Sequence, residues 1–208
     1  MARLAVAVLL ALALAAPDAL AQLQWREAHF HVPLALDGLQ TAIDVAASDD
    51  GRHVYVAARR DDAIAWFARD AASGALSYGG RLLGAGQEGG TATHLATPWA
   101  VDVAPGGAHA YAAASDTDAV LLLARDAGSG ALTRIASYRN TTNTPDPAQP
   151  LTYMRWPRAL VVRPDGACVA VGSFDNALPL ARAAVIAFER DPTSGALVAV
   201  DVERKDAG

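Results

Sequence analysis

Only one cysteine, Cys168, occurs in 208 residues, so no intramolecular disulfide can staple this chain and its core must come from apolar packing. Lysine is as scarce: Lys205 is the sole one among 17 basic residues, and a net charge of −5 leaves no surplus of cations to displace the counterions of a nucleic acid. Long apolar runs are missing beyond the first 20 or so residues, which excludes a membrane-spanning helix there. Helical periodicity is absent from the rest of the chain. No Gly-x-Ser-x-Gly elbow and no His-Glu-x-x-His zinc pair occurs, so neither a hydrolase nucleophile nor a zinc-peptidase site is marked by a local motif.

What is present begins with a leader. Arg3 supplies a positive start, Leu4 to Ala16 is unbroken apolar sequence, and Ala19-Leu20-Ala21 is a small-x-small cleavage site. Residues 1–21 are expected to direct export and be removed before Gln22, leaving residues 22–208 periplasmic or secreted and without a stable membrane span. A retained anchor is the alternative, although 13 apolar residues fall short of the roughly 20 that cross a bilayer.

A three-fold repeat then dominates. Each copy runs through a short apolar strand, an Asp/Gly turn, two more strands, and a closing Asp-x-x-Ser-Gly-Ala-Leu, over about 41–83, 97–139 and 156–204. The first turn glycines, Gly51, Gly107 and Gly166, are spaced by 56 and 59 residues. The second set is Gly74, Gly130 and Gly195, and the third copy carries six extra residues, Ala177 to Arg182. The first copy reads as strands over Ala42–Ser48, His53–Ala58, Ala63–Arg69 and Leu76–Leu83, joined by hairpins in which Gly accepts positive φ and Asp70, Asp126 and Asp191 bond the turn backbone. Four antiparallel strands repeated in tandem specify an all-β fold, a β-propeller. The expected architecture is incomplete: three four-stranded blades plus an N-terminal strand over Gln24–Leu34, fewer than the four to eight blades that close a ring. A fragment of a longer propeller, closure by oligomerisation and an open arc are the alternatives, and open blade edges would favour self-association.

The segments Ala46-Ala47-Ser48-Asp49-Asp50-Gly51-Arg52-His53-Val54-Tyr55-Val56-Ala57 and Asp62-Ala63-Ile64-Ala65-Trp66-Phe67-Ala68-Arg69-Asp70-Ala71-Ala72-Ser73-Gly74-Ala75-Leu76 resemble blades of the lactonase family, the seven-bladed propellers that include bacterial 6-phosphogluconolactonases. The resemblance covers most of Thr41 to Arg204 and implies blade construction. It implies lactone hydrolysis only by analogy, because these residues build strands and turns. No cofactor follows from it.

Candidate site residues come from the two long connections, 84–98 and 139–157. Glu88 with His94 reads either as a general acid–base pair or as a solvated glycine-rich loop. Arg155 could hold a carboxylate, with Tyr153 and Trp156 stacking on a sugar ring, or Trp156 could wedge between blades. Asp116 and Asp175, with Asp61, Asp62 and Asp118, recur at equivalent turns and suit either ligand contact or turn formation; no metal site is assigned. His53, His109 and Cys168 share one repeat position and read as blade residues. The expectation is a module binding a protein or a carbohydrate-like ligand, with a periplasmic sugar lactonase using Glu88, His94 and Arg155 as the alternative.

Overall fold

The computed structural model describes residues 38–140, 150–175 and 182–204. The leader, the strand expected over 24–34, Asp146 and most of the insertion in the third repeat lie outside the described residues. Twelve strands occupy the rest. The first blade holds β1 (Ala42–Ala47), β2 (His53–Ala58), β3 (Ala63–Arg69) and β4 (Leu76–Leu83). The second holds β5 (Pro98–Val103), β6 (His109–Ala114), β7 (Ala119–Arg125) and β8 (Leu132–Arg139). The third holds β9 (Pro157–Val162), β10 (Cys168–Asp175), β11 (Arg182–Arg190) and β12 (Leu197–Arg204). Each is a four-stranded antiparallel meander in sequence order. Among the described residues the only helix is one 3-10 turn, Pro150–Tyr153.

Local chemistry accounts for the meanders. Gly74, Gly130 and Gly195 close the hairpin between third and fourth strands at φ of 76°, 76° and 73°, a backbone region in which a Cβ is strained. Ahead of each, an Asp side chain caps the turn: Asp126 Oδ1 accepts from the N–H groups of Gly128 and Ser129 and from the Ser129 hydroxyl. Asp70 and Asp191 do the same in their blades. Register shifts recur where third and fourth strands pair, at Trp66/Phe67, Leu122/Leu123 and Ala187/Phe188, and such bulges raise the local twist that lets sheets stack face to face.

The core lies between blades. One apolar cluster joins Tyr55 and Ile64 to Val101, Leu121 and Leu123; a second joins Tyr111, Val120 and Leu122 to Val169, Ile186 and Phe188. Strand alternation splits the consecutive leucines of β7, sending Leu121 and Leu123 to the first interface and Leu122 to the second. Each such buried side chain contributes roughly 1.5–3 kcal/mol. The first strands lie side by side, β1 against β5 and β5 against β9, while the fourth strands fan outward.

A polar latch crosses each interface. Arg125 at the end of β7 is buried; its Nε donates to the Tyr55 hydroxyl (2.8 Å) and its Nη2 to His53 Nδ1 (2.8 Å) and to Asp50. Tyr55 in turn donates to the Gly130 carbonyl. Arg190, Tyr111, His109 and Gly195 repeat these bonds between the second and third blades. The two histidines thus serve the blade construction that their shared repeat position indicates. Cys168 heads β10 at the same position, half-buried and with a free thiol.

Three blades do not close a ring among the described residues. Outward faces therefore carry exposed apolar side chains: Ile43 and Val45 on the first blade, Val161 and Val185 on the third. None of the helices among the described residues is long and apolar enough to cross a membrane.

Candidate functional site

Each inner strand is entered through a non-glycine residue in the left-handed region: Thr41 at φ 58°, Thr97 at 51° and Trp156 at 44°. For β-branched and bulky side chains this costs about 1–2 kcal/mol, so other contacts must hold it. They come from the neighbouring blade. Asp62 Oδ1 accepts the N–H of Thr97 (2.7 Å), and Asp118 Oδ1 accepts the N–H of Trp156 (2.8 Å). Asp44 and Asp102 reach across in the same sense to the N–H groups of Val101 and Val162. Of the recurring turn aspartates, Asp62 and Asp118 are therefore inter-blade staples. Among the described residues no group of three or more His, Cys, Asp or Glu side chains is placed to hold a metal.

The staples aim a set of side chains at one end of the inner strands. Arg59, Thr97, Trp99, Ser115, Asp116, Trp156 and Arg158 line a groove of about 240 Å³. A second groove of about 530 Å³, lined by Ile43, Asp44, Trp99, Ala100, Arg158, Ala159 and Leu160, shares Trp99 and Arg158 with it. Two guanidiniums face the Trp99 indole, Arg158 at 4.5 Å from its centroid and Arg59 at 4.9 Å. Arg158 also lies 5.1 Å from the Phe174 ring. Such contacts pin long cationic side chains at about 0.5–1 kcal/mol each while leaving their N–H forks available. Asp116 is exposed at the rim, with Oδ2 accepting from the Thr97 hydroxyl at 2.6 Å. The result is two fixed cations, one carboxylate and two indoles around a shared opening, a set suited to a small ligand with a negative end and a flat apolar face.

The site residues expected from sequence divide on this geometry. Trp156 and Asp116 are brought together in the groove. Arg155 stacks its guanidinium 5.8 Å above the Trp156 ring. Tyr153 packs into the core between the second and third blades, only 6 % exposed, which keeps its ring from a ligand. Asp175 closes β10 opposite Arg182, and its side chain lies outside the described residues. Glu88 and His94 do not form a pair. Glu88 lines a separate groove with Arg60, Asp61 and Arg81. His94 turns to Arg139, which donates to its Nε2 at 3.1 Å, and its buried Nδ1 lacks a hydrogen-bond partner. Burial, then the positive charges of Arg139 and Arg134, lower the His94 pKa, making it a weaker base.

Sequence reading missed Arg59, Trp99 and Arg158. The signal that would have found them is variation inside the repeat. Ile43, Trp99 and Arg158 occupy one repeat position, Arg59, Ser115 and Phe174 a second, and Thr41, Thr97 and Trp156 a third. The side chains at these three positions differ from copy to copy, and the groove takes Arg59 from the first blade, Thr97, Trp99 and Ser115 from the second, and Trp156 and Arg158 from the third.

Stacked antiparallel meanders with converging inner strands define an incomplete β-propeller, with a polar groove at one end of those strands. The chain belongs to the lactonase family of seven-bladed β-propellers, whose family model matches residues 11–149, 139 of the 208. No curated protein matches the chain significantly. Among solved structures, it is similar to a Bacteroides uniformis protein provisionally assigned as a 6-phosphogluconolactonase (TM-score 0.58, 16 % identity, 80 % of this chain and 45 % of that one). It is also similar to the periplasmic gluconolactonase PpgL of Pseudomonas aeruginosa (TM-score 0.54, 19 % identity, 76 % and 38 %). Sqt1 of Saccharomyces cerevisiae aligns comparably (TM-score 0.55, 11 % identity, 80 % and 36 %), so these likenesses carry the fold and not an activity. The chain spans less than half the length of these structures.

Proposed function

We propose that this chain is an exported ligand-binding propeller segment whose inner-strand groove takes a small sugar acid or sugar lactone. The observation that carries the reading is the pair of guanidiniums, Arg59 and Arg158, held against the Trp99 indole beside Trp156 and Asp116. A carboxylate fits the guanidinium forks, and the apolar face of a pyranose ring fits an indole. Export rests on Leu4–Ala16 and the Ala19-Leu20-Ala21 site.

Lactone hydrolysis is the second reading, favoured by family membership and by the Asp116 carboxylate at the rim of the groove. Water would attack the lactone carbonyl carbon while Asp116 takes its proton. Arg158 would face the oxyanion, and the ring C–O bond would break with the proton returned to the leaving oxygen. Calorimetric titration with D-gluconate and pH-stat assay of glucono-1,5-lactone test both readings. Trp99→Ala and Arg158→Ala should each weaken gluconate binding at least tenfold, and Asp116→Asn should abolish turnover while sparing binding. Gluconate binding unchanged by Trp99→Ala and Arg158→Ala would overturn the groove assignment.

A further inference from the structure

A β-bulge in each blade delivers one side chain to the larger of the two grooves. Where β1, β5 and β9 pair with their second strands, the register passes from Ala42 to Asp44, from Pro98 to Ala100 and from Pro157 to Ala159, skipping Ile43, Trp99 and Arg158. A bulge bends its strand and re-aims the extra side chain. All three skipped residues line the groove of about 530 Å³. They differ in kind: an aliphatic chain from the first blade, an indole from the second and a guanidinium from the third.

The two grooves meet at Trp99 and Arg158 and differ beyond them. The smaller adds Arg59, Asp116, Trp156 and two hydroxyls, whereas the larger adds Ile43, Ala100, Ala159 and Leu160, with Asp44 its one further charged group. Ile43 is 37 % exposed and Ala159 is exposed, so this aliphatic surface faces the opening and is not consumed by the core. Asp44 is fixed in place by accepting the Val101 N–H at 2.9 Å. Its carboxylate repels an anionic group from the larger groove while Arg59 and Arg158 attract one to the smaller, so charge gives a bound anion a single direction.

We propose that the larger groove is a subsite for an aliphatic substituent, and that the ligand is an alkyl glycoside of a sugar acid in preference to the bare sugar. The proposal rests on the sugar-acid reading of the smaller groove. The carboxylate lies at Arg59 and Arg158, the ring against Trp99, and the alkyl chain along Ile43, Ala100 and Leu160. A bare acid leaves that aliphatic surface in water. Each methylene buried against it is worth about fourfold in affinity.

Calorimetric titration of the whole chain with methyl β-D-glucuronide, hexyl β-D-glucuronide and the uncharged hexyl β-D-glucoside tests this. Hexyl glucuronide should bind roughly tenfold or more tighter than methyl glucuronide, a gain that needs burial of only about two of the added methylenes. It should exceed hexyl glucoside by a similar factor, since the glucoside lacks the carboxylate. Ile43→Asn and Ala159→Asp, both at exposed positions, should each cut the hexyl-to-methyl affinity ratio by roughly threefold or more, and Ile43→Val should keep most of it. Circular dichroism confirms that each variant is folded. Methyl glucuronide bound with hexyl glucuronide no tighter, or a ratio unmoved by both polar variants, would overturn this proposal and leave the sugar-acid reading standing. Hexyl glucuronide no tighter than hexyl glucoside would overturn it too, because the chain would then adhere without the cation pair. Binding of neither glucuronide would overturn both readings.

Discussion

Substituting alanine at the three closing turn glycines separates backbone strain from inter-blade fit within one molecule. Gly74, Gly130 and Gly195 share φ within 3°, so the left-handed penalty of an added Cβ, about 1–2 kcal/mol, is common to all three. What differs is what the methyl meets. At Gly130 it would fall 2.3, 2.8 and 2.9 Å from three atoms of the His53 ring, which is pinned from its other side by Arg125. Moving that ring loosens the Arg125 bond as well as the packing, adding about 1–3 kcal/mol. At Gly195 the methyl would meet His109 at 2.8 Å and Leu122 at 2.9 Å, a clash of the same kind. At Gly74 it meets only the end of Arg69 at an ordinary contact distance. Gly74→Ala should therefore cost about 1–2 kcal/mol, and Gly130→Ala and Gly195→Ala about 2–5 kcal/mol each. Urea denaturation followed by tryptophan fluorescence reads the difference, and thermal midpoints should fall by roughly 2–4 °C per kcal/mol for a chain of this size. Combining Gly130→Ala with His53→Ala should recover part of the loss, because the two residues share one contact. Equal losses at all three glycines would refute the reasoning, as the inter-blade seat would then contribute nothing.

Arg125→Met removes a buried guanidinium that bonds Tyr55, His53, Asp50 and the Gly107 carbonyl, and should cost about 3 kcal/mol in denaturant titrations, reduced because Asp50 is partly solvated; Arg69→Met should cost well under 1 kcal/mol. Acid should weaken the fold before the carboxylates titrate. Burial, then the charges of Arg125 and Arg190, lower the His53 and His109 pKa values from 6.5, so below about pH 6.5 the unfolded chain binds protons that the folded one does not. Stability should fall as pH drops from 7.5 to 5.5, and fall less steeply in a His53→Asn/His109→Asn variant, where His94, lowered in the same direction, still contributes; a variant profile as steep as that of wild type would contradict the neutral-histidine latch. Asp118→Ala leaves the Trp156 N–H without its staple in a strained backbone and should cost about 1–3 kcal/mol while weakening gluconate binding, both measurable on one preparation by denaturation and calorimetry.

Much of this molecule is legible from single residues and their spacing. The strand bounds His53–Ala58, Ala63–Arg69 and Leu76–Leu83 follow from short β-type runs set between turns, alternating in the second strand and apolar on both faces in the third, and the hairpins from Asp and Gly at fixed offsets, because both are settled within a few residues of chain. The recurrence of His53 and His109 marks them as parts of the blade. Their partners were not legible: Arg125 lies 72 residues from His53, and only stacking of separate meanders brings the two within 2.8 Å. Glu88 and His94 invited pairing by nearness in sequence, yet the turn of the loop carries His94 to Arg139.

The sequence by itself determined the unit, a four-stranded antiparallel blade with capped turns, since those interactions are local and repeat with the chain. Only the tertiary structure decided where chemistry gathers. Arg59, Trp99, Asp116, Trp156 and Arg158 are scattered over 100 residues and meet because the inner strands converge while the outer ones fan apart. Convergence at one end turns separate positions of a structural repeat into one opening.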